Sequence, residues 1–182
     1  PSASSPDMTT PPPGAPLPAA IADWFAGRGW RVRDHQAAMF AADRAGHHAL
    51  LVASTGAGKT LAGFLPTLAD AAEGPTEGLH TLYISPLKAL AVDIQRNLKA
   101  PIDEIGLPLT VETRTGDTPS DRKARQRVRP PNILLTTPES LSLMLSHEDS
   151  FTLFAGLKRV VIDEVHAFAT QKRGDLLALS LA

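Results

Sequence analysis

The stretch from Ala49 to Thr60, ALLVASTGAGKT, restricts the fold of this chain more than any other. Ala49 to Ala53 is a short apolar run, Ser54 to Gly58 is a turn of small residues, and Lys59 opens a segment with Leu61, Phe64, Leu65 and Leu68 at helical spacing. The pattern predicts a strand, a tight turn and a helix, which is the setting of a phosphate-binding loop. Gly56 and Gly58 permit backbone conformations that a side chain would obstruct. The successive N–H groups of Thr55, Gly56, Ala57 and Gly58 can then face an anion beside the positive end of a helix. Lys59 is assigned to the β- and γ-phosphates of a nucleotide and Thr60 to the Mg²⁺ that such phosphates carry. The strict form of this pattern opens with glycine, and here Ala53 holds that place.

A strand-turn-helix unit of this kind needs a sheet around it. Further strands are predicted at 81–85, 109–114, 133–136 and 159–163, rich in Leu, Val, Ile or Thr and mostly apolar throughout, as strands covered on both faces are. Helices are predicted at 22–27, 36–45, 59–72 with a kink at Pro66, 87–99, 120–127, 138–145 and from 174 onward. The alternation implies an α/β fold: a mostly parallel sheet sandwiched by helices, with ligands at the carboxyl ends of the strands.

At 182 residues, 43% hydrophobic and 20% charged, the chain can bury one core, and length favours one domain at residues 19–182. Residues 1–18 hold seven prolines among small and polar residues and are expected to be a disordered tail. Met8 is a candidate natural start. The chain has no cysteine, and its six histidines show no zinc spacing, so disulfide frameworks and thiolate or zinc sites are not expected. No apolar run approaches the roughly 18 residues of a membrane span, and the N-terminus lacks the layout of a signal peptide, so the expectation is a cytoplasmic protein with no membrane partner. A net charge of −1 gives no bulk argument for nucleic-acid binding, which has to rest on local sites.

The run Val160 to His166, VVIDEVH, is an apolar strand ending in two acids. A carboxylate at the ligand edge of a sheet can hold a metal-bound water, and its neighbour can orient an attacking water. Asp163 is therefore assigned to Mg²⁺ and Glu164 to the catalytic base. Three other strand ends share an architecture. Ser85 to Leu90, SPLKAL, and Thr136 to Leu141, TTPESL, each put a proline at a strand-to-helix junction, and Thr113 to Thr118, TRTGDT, places hydroxyls, an arginine and a glycine at a strand end. Helix N-termini bind phosphates through their unpaired N–H groups. Each junction alone reads as an ordinary turn, and the functional reading rests on three of them sharing one sheet edge. Ser120 to Arg129 adds five basic residues against one acid, which reads either as a solvated helix face or as a contact to a nucleic-acid strand.

With DEVH following a phosphate-binding loop in this order, the sequence resembles a DExH-box helicase of superfamily 2. The segments GLHTLYISPLKALAVDIQRNL, TRTGDTPSDRKARQR, PPNILLTTPESLSLML and KRGDLLAL are similar to the Lhr-like branch, closest to the type associated with DNA ligase and DNA damage repair, over about residues 22–182. The resemblance implies a RecA-like first motor domain that binds ATP and Mg²⁺. Arg33 to Gln36, RDHQ, is similar to the family's adenine-recognising segment, with Arg33 beside the site and Gln36 reading the base edge. By the same analogy His166 couples the nucleotide site to nucleic acid or to a second motor domain. Pro86, Leu87, Lys88, Arg114, Thr115, Gly116, Thr137 and Pro138 are implied to hold the sugar-phosphate backbone without reading sequence.

The implied partners are single-stranded or partly duplex DNA, with an RNA–DNA hybrid as a further class, and a second RecA-like domain supplying an arginine finger. The implied activity is ATP-driven 3′-to-5′ translocation with unwinding, in DNA repair and near the nucleoid. No Ser-Ala-Thr-type coupling motif follows DEVH in the sequence, so the 182-residue chain alone is expected to bind ATP weakly and hydrolyse it little. Three alternatives stay open: an RNA helicase, the translocating subunit of a nuclease, and a non-enzymatic, nucleotide-dependent binding module.

Overall fold

The computed structural model describes residues 16–54, 56–168 and 172–181. The predicted tail falls largely on residues 1–15, outside the described residues, as does Thr55. Two helices, α1 (Ala19–Gly27) and α2 (Asp34–Arg44), precede the glycine-rich loop, and α3 (Lys59–Glu73) follows it. The rest alternates: β1 (Thr81–Ile84), α4 (Lys88–Ile105), β2 (Val111–Arg114), α5 (Ser120–Val128), β3 (Ile133–Thr136), α6 (Pro138–Leu145), the short α7 (Ser150–Phe154), β4 (Arg159–Ile162), a 3-10 turn (Val165–Ala167) and α8 (Lys172–Leu181). The four strands form one sheet in the order β2-β3-β1-β4, with every pairing parallel. All four carboxyl ends therefore lie along one edge, as the alternation of strand and helix predicts.

Residue alternation divides the core into two layers. Tyr83, Ile133 and Leu135 pack on one face with Phe25, Phe40, Phe64, Leu68, Ile94 and Leu98 from α1 to α4. Leu82, Ile84 and Leu134 turn to the other face and meet Leu141, Met144, Leu153 and Leu177 from α6 to α8. Helix α4 runs six residues past its predicted end because Leu98, Pro101 and Ile102 stay buried at helical spacing. Its stop is Gly106, in the left-handed region, whose N–H donates to Ile102 O at 3.0 Å. Strand β2 starts two residues later than predicted, because Asn132 Oδ1 takes the Thr110 N–H and hydroxyl, both at 2.9 Å. Among the described residues no helix is long and apolar enough to cross a membrane.

The strand predicted at 49–53 is not formed. A strand exists only through a ladder partner, and β4, the last strand in the sheet order, pairs with β1 alone among the described residues. Leu50 is 76% and Val52 87% exposed, so this apolar segment enters the turn without the sheet contacts its composition calls for.

At the amino ends of β1 and β4 an ionic network joins both strands to α2 and α3. The Arg159 guanidinium grips Asp43 through two nitrogens, at 2.5 and 2.7 Å, and reaches Asp70 at 2.9 Å. Arg44 bonds Asp70 and Glu73. His80 Nε2 lies 3.2 Å from Asp70 without hydrogen-bond alignment, while its Nδ1 meets the Thr81 hydroxyl at 2.9 Å. Burial, and then the Arg159 charge, pushes the His80 pKa below its ordinary 6.5.

Candidate nucleotide and nucleic-acid site

Gly56 and Gly58 both adopt left-handed φ, +78° and +75°, so the turn has the backbone its glycines predict. Gly58 caps α3 directly, and Lys59 and Thr60 form the first turn of that helix. Lys59 Nζ donates to Ala53 O at 2.8 Å, folding back over the loop. Gln36 locks the loop from outside. Its Oε1 accepts the Arg33 N–H at 3.0 Å, and its Nε2 donates to Gly58 O at 3.3 Å. Arg33 reaches Gly56 O at 3.3 Å. The two residues taken from RDHQ thus lie on the glycine-rich turn itself.

Beside this turn is a cavity of about 560 Å³, within the usual range for small-ligand sites. Gly58, Thr60, Arg33 and Gln36 line one side; Trp24, Arg28 and Trp30 from α1 and the following loop line another; Asn97 and Pro101 of α4 complete it. The Arg28 guanidinium sits 5.1 Å from the Trp24 ring centre and 4.9 Å from that of Trp30, and Trp30 is 49% exposed. Sequence reasoning missed this aromatic wall. Its signal, two tryptophans flanking an arginine just before RDHQ, was present but has no fixed spacing to a motif.

At the sheet edge, the Asp163 N–H donates to Ile84 O at 2.9 Å, extending the β4 ladder by one bond and fixing the carboxylate at the strand's end. Asp163 Oδ1 accepts the Glu164 N–H at 2.9 Å and Oδ2 accepts the Tyr83 hydroxyl. Burial, and then its hydrogen bond to Asp163, drives the Tyr83 pKa far above the ordinary value of 10, so this phenol is a donor. Glu164 holds φ +50° and is the one described non-glycine residue with positive φ. That conformation is costly for a side-chain-bearing residue and is often kept where geometry matters to function. His166 Nε2 lies 3.2 Å from Glu164 Oε2, and the imidazole is otherwise open to solvent.

Among the described residues no cluster of three or more His, Cys, Asp or Glu side chains is placed to hold a metal ion. One carboxylate and one hydroxyl, Asp163 and Thr60, suit a Mg²⁺ that keeps most of its ligands as water and phosphate oxygens. The glycine turn, which a Cβ at residue 58 would close against Gln36 at 2.9 Å, fits the phosphates.

The three junctions predicted to grip a strand do share the edge. Thr136 Oγ1 donates to Arg114 O at 2.7 Å, joining two of them, and Lys88 Nζ pairs with Asp117 at 2.8 Å beside Gly116, joining the third. Leu87 and Lys88 are exposed at the start of α4, whereas Pro86 is buried. Thr137 caps α6, accepting from the Ser140 N–H, and Pro138 fills its first turn. Thr115 is 8% exposed, and its N–H is taken by Thr118 Oγ1. Arg114 corrects the sequence reading. It is 5% exposed and donates to Lys123 O at 2.9 Å, so its guanidinium anchors α5 from within instead of meeting a backbone phosphate. Burial, and then the Arg127 charge, lowers its pKa.

The chain is similar to several helicases. It is 45% identical over 172 residues to the Lhr helicase/probable uracil glycosylase of Mycolicibacterium smegmatis, covering 87% of this chain and 11% of that protein. It is 42% identical over 151 residues to the ATP-dependent helicase Lhr-Core of Methanocaldococcus jannaschii, covering 75% of this chain and 18% of that one. The solved structure of Mycobacterium smegmatis Lhr bound to ssDNA and AMP-PNP superposes with a TM-score of 0.83 at 41% identity, over 91% of this chain and 22% of that chain. MrfA, a DUF1998 helicase solved with DNA and AMPPNP, gives 0.76 at 32% identity, over 85% of this chain and 22% of its own. This chain thus spans about a tenth to a fifth of the length of these relatives. The family model for DEAD/DEAH box helicases matches residues 33–182, and the chain belongs to that family.

Proposed function

We propose that residues 19–182 form the first motor domain of an Lhr-type, ATP-dependent DNA helicase or translocase acting in DNA repair. The observation that carries this reading is the shared sheet edge: Asp163 ends β4 beside β1, and the three strand-gripping junctions end β1, β2 and β3 on the same side. An edge so built can join nucleotide state to grip on a strand.

In this reading the nucleotide's base enters the cavity between Gln36, Trp30 and α4, and its phosphates lie on the turn from Thr55 to Gly58 with Lys59. Thr60 and Asp163 would hold Mg²⁺, which when bound screens phosphate charge and orients the transferring group. Glu164 orients the attacking water, its carboxylate aimed by the left-handed turn. Lys59, which rests on Ala53 O, exchanges that carbonyl for phosphate. Leu87, Lys88, Thr137 and their neighbours position single-stranded DNA through its backbone. Similarity to Lhr and MrfA, both solved with DNA and a nucleotide analogue, supports the assignment of DNA and ATP. Turnover by this chain alone is expected to be slight, because an arginine finger from a second motor domain is worth roughly 10³ to 10⁵ in rate.

The test is equilibrium binding of a fluorescent ATP analogue and of a single-stranded DNA oligonucleotide to the 182-residue chain. Lys59→Ala is expected to weaken nucleotide binding by roughly ten- to a hundredfold, the value of losing charge-assisted bonds to phosphate. Unchanged nucleotide affinity in that variant, or robust ATP turnover by the chain without any other domain, contradicts the reading.

A further inference from the structure

Tyr83 touches the proposed ATPase site from the core without belonging to any motif that marks it. It lies on β1, is 1% exposed, and its hydroxyl donates to Asp163 Oδ2 on the neighbouring strand. Its ring stacks on Phe64, with ring centres 5.3 Å apart and planes 27° from parallel. Phe64 is one helical turn beyond Thr60 on α3, so both project from the same side of that helix. One side chain therefore touches the helix that carries Lys59 and Thr60 and the carboxylate at the end of β4.

The carboxylate itself is held at both oxygens. Oδ1 takes the Glu164 N–H and Oδ2 takes the Tyr83 hydroxyl, while the Asp163 N–H is fixed to Ile84 O. A carboxylate with one donor on each oxygen cannot turn about its terminal torsion without losing a bond. Each oxygen keeps lone-pair capacity in a fixed orientation, which suits the group to accept from metal-bound water.

We propose that Tyr83 is a positioning residue for Mg²⁺ binding, holding Asp163 in the orientation that the Mg²⁺–nucleotide complex requires and tying that orientation to α3 through Phe64. The inference rests on the assignment of Asp163 to Mg²⁺. A donor that holds a metal-binding carboxylate in this way changes metal affinity while leaving the ligands in place.

Tyr83→Phe removes the hydroxyl and keeps the stacked ring. Binding of the fluorescent ATP analogue to the 182-residue chain is titrated with Mg²⁺, and repeated in EDTA. In Tyr83→Phe the Mg²⁺ concentration at half-maximal binding is expected to rise about fivefold, the scale of one hydrogen bond, with affinity in EDTA unchanged. Combined with Asp163→Asn, it should add nothing to the effect of Asp163→Asn alone. A midpoint that does not rise, an equal loss in EDTA, or additive effects in the double variant overturns the assignment. If wild-type binding ignores Mg²⁺, or Asp163→Asn leaves the midpoint in place, the Asp163 reading falls and this one with it. A normal wild type and a shifted Asp163→Asn beside an unshifted Tyr83→Phe overturn Tyr83 alone.

Discussion

At Gly58 the φ of +75° and the Gln36 amide, 2.9 Å from where a Cβ would stand, act together. An alanine there takes on about 1 kcal/mol or more of left-handed strain and also pushes Gln36 out of a site where it is 3% exposed. Gly58→Ala is thus expected to cost nucleotide affinity as well as stability, read as weaker binding of the ATP analogue and a lower melting temperature; a change in melting alone would show that Gln36 does not serve the nucleotide. Gly58 was legible in the sequence from the spacing of the glycine-rich turn, whereas Gln36 stood out only through the resemblance of RDHQ to the family's segment. Tyr83 was not legible, since one tyrosine in an apolar strand looks like core and its partner is 80 residues away. Arg114 was misread for the reverse reason. A charged residue at a strand end suggests exposure, yet the α5 backbone, with its Lys123 carbonyl, lies over it.

Among the elements, β4 is fixed more firmly at its amino end than its short length suggests. Arg159 draws Asp43 of α2 and Asp70 of α3 to one guanidinium, and His80 sits neutral against the same group. Because the His80 pKa is lowered on folding, its neutral form is the one the fold accepts. That contribution is complete above pH 6.5 and is lost as the pH falls below it, when the unfolded chain takes up the proton more readily. Melting temperatures at pH 7.5 and 5.5 should therefore fall further in the wild type than in His80→Gln; an equal fall in both would place the acid sensitivity elsewhere. The four strands of the sheet were legible as apolar runs between helices, and so was their parallel order. The run at 49–53 carried the same signal but lacks a ladder, because composition states what a segment would bury and says nothing of which edge receives it. Helix α7 and the 3-10 turn were too short to have a period.

For the molecule as a whole, a net charge of −1 leaves nucleic-acid affinity to a few placed cations. The Lys88–Asp117 pair is exposed on both sides, 54% and 76%, so opening it to admit a phosphate costs little. Lys88→Ala is expected to weaken single-stranded DNA binding at low salt and to reduce the slope of log affinity against log salt by roughly 0.7, one phosphate contact; a slope equal to that of the wild type would remove Lys88 from the interface. Lys88 also begins α4, whose far half, at Asn97 and Pro101, walls the cavity beside Gln36. Eighteen residues make a rod about 27 Å long. Ile94 and Leu98 hold its middle in the core, so a tilt of about 5° about them would carry the Lys88 end through about 1 Å. In the proposed reading the helix is in mechanical terms a strut, bearing on the nucleotide's base through Asn97 and Pro101 and on the DNA backbone through Lys88.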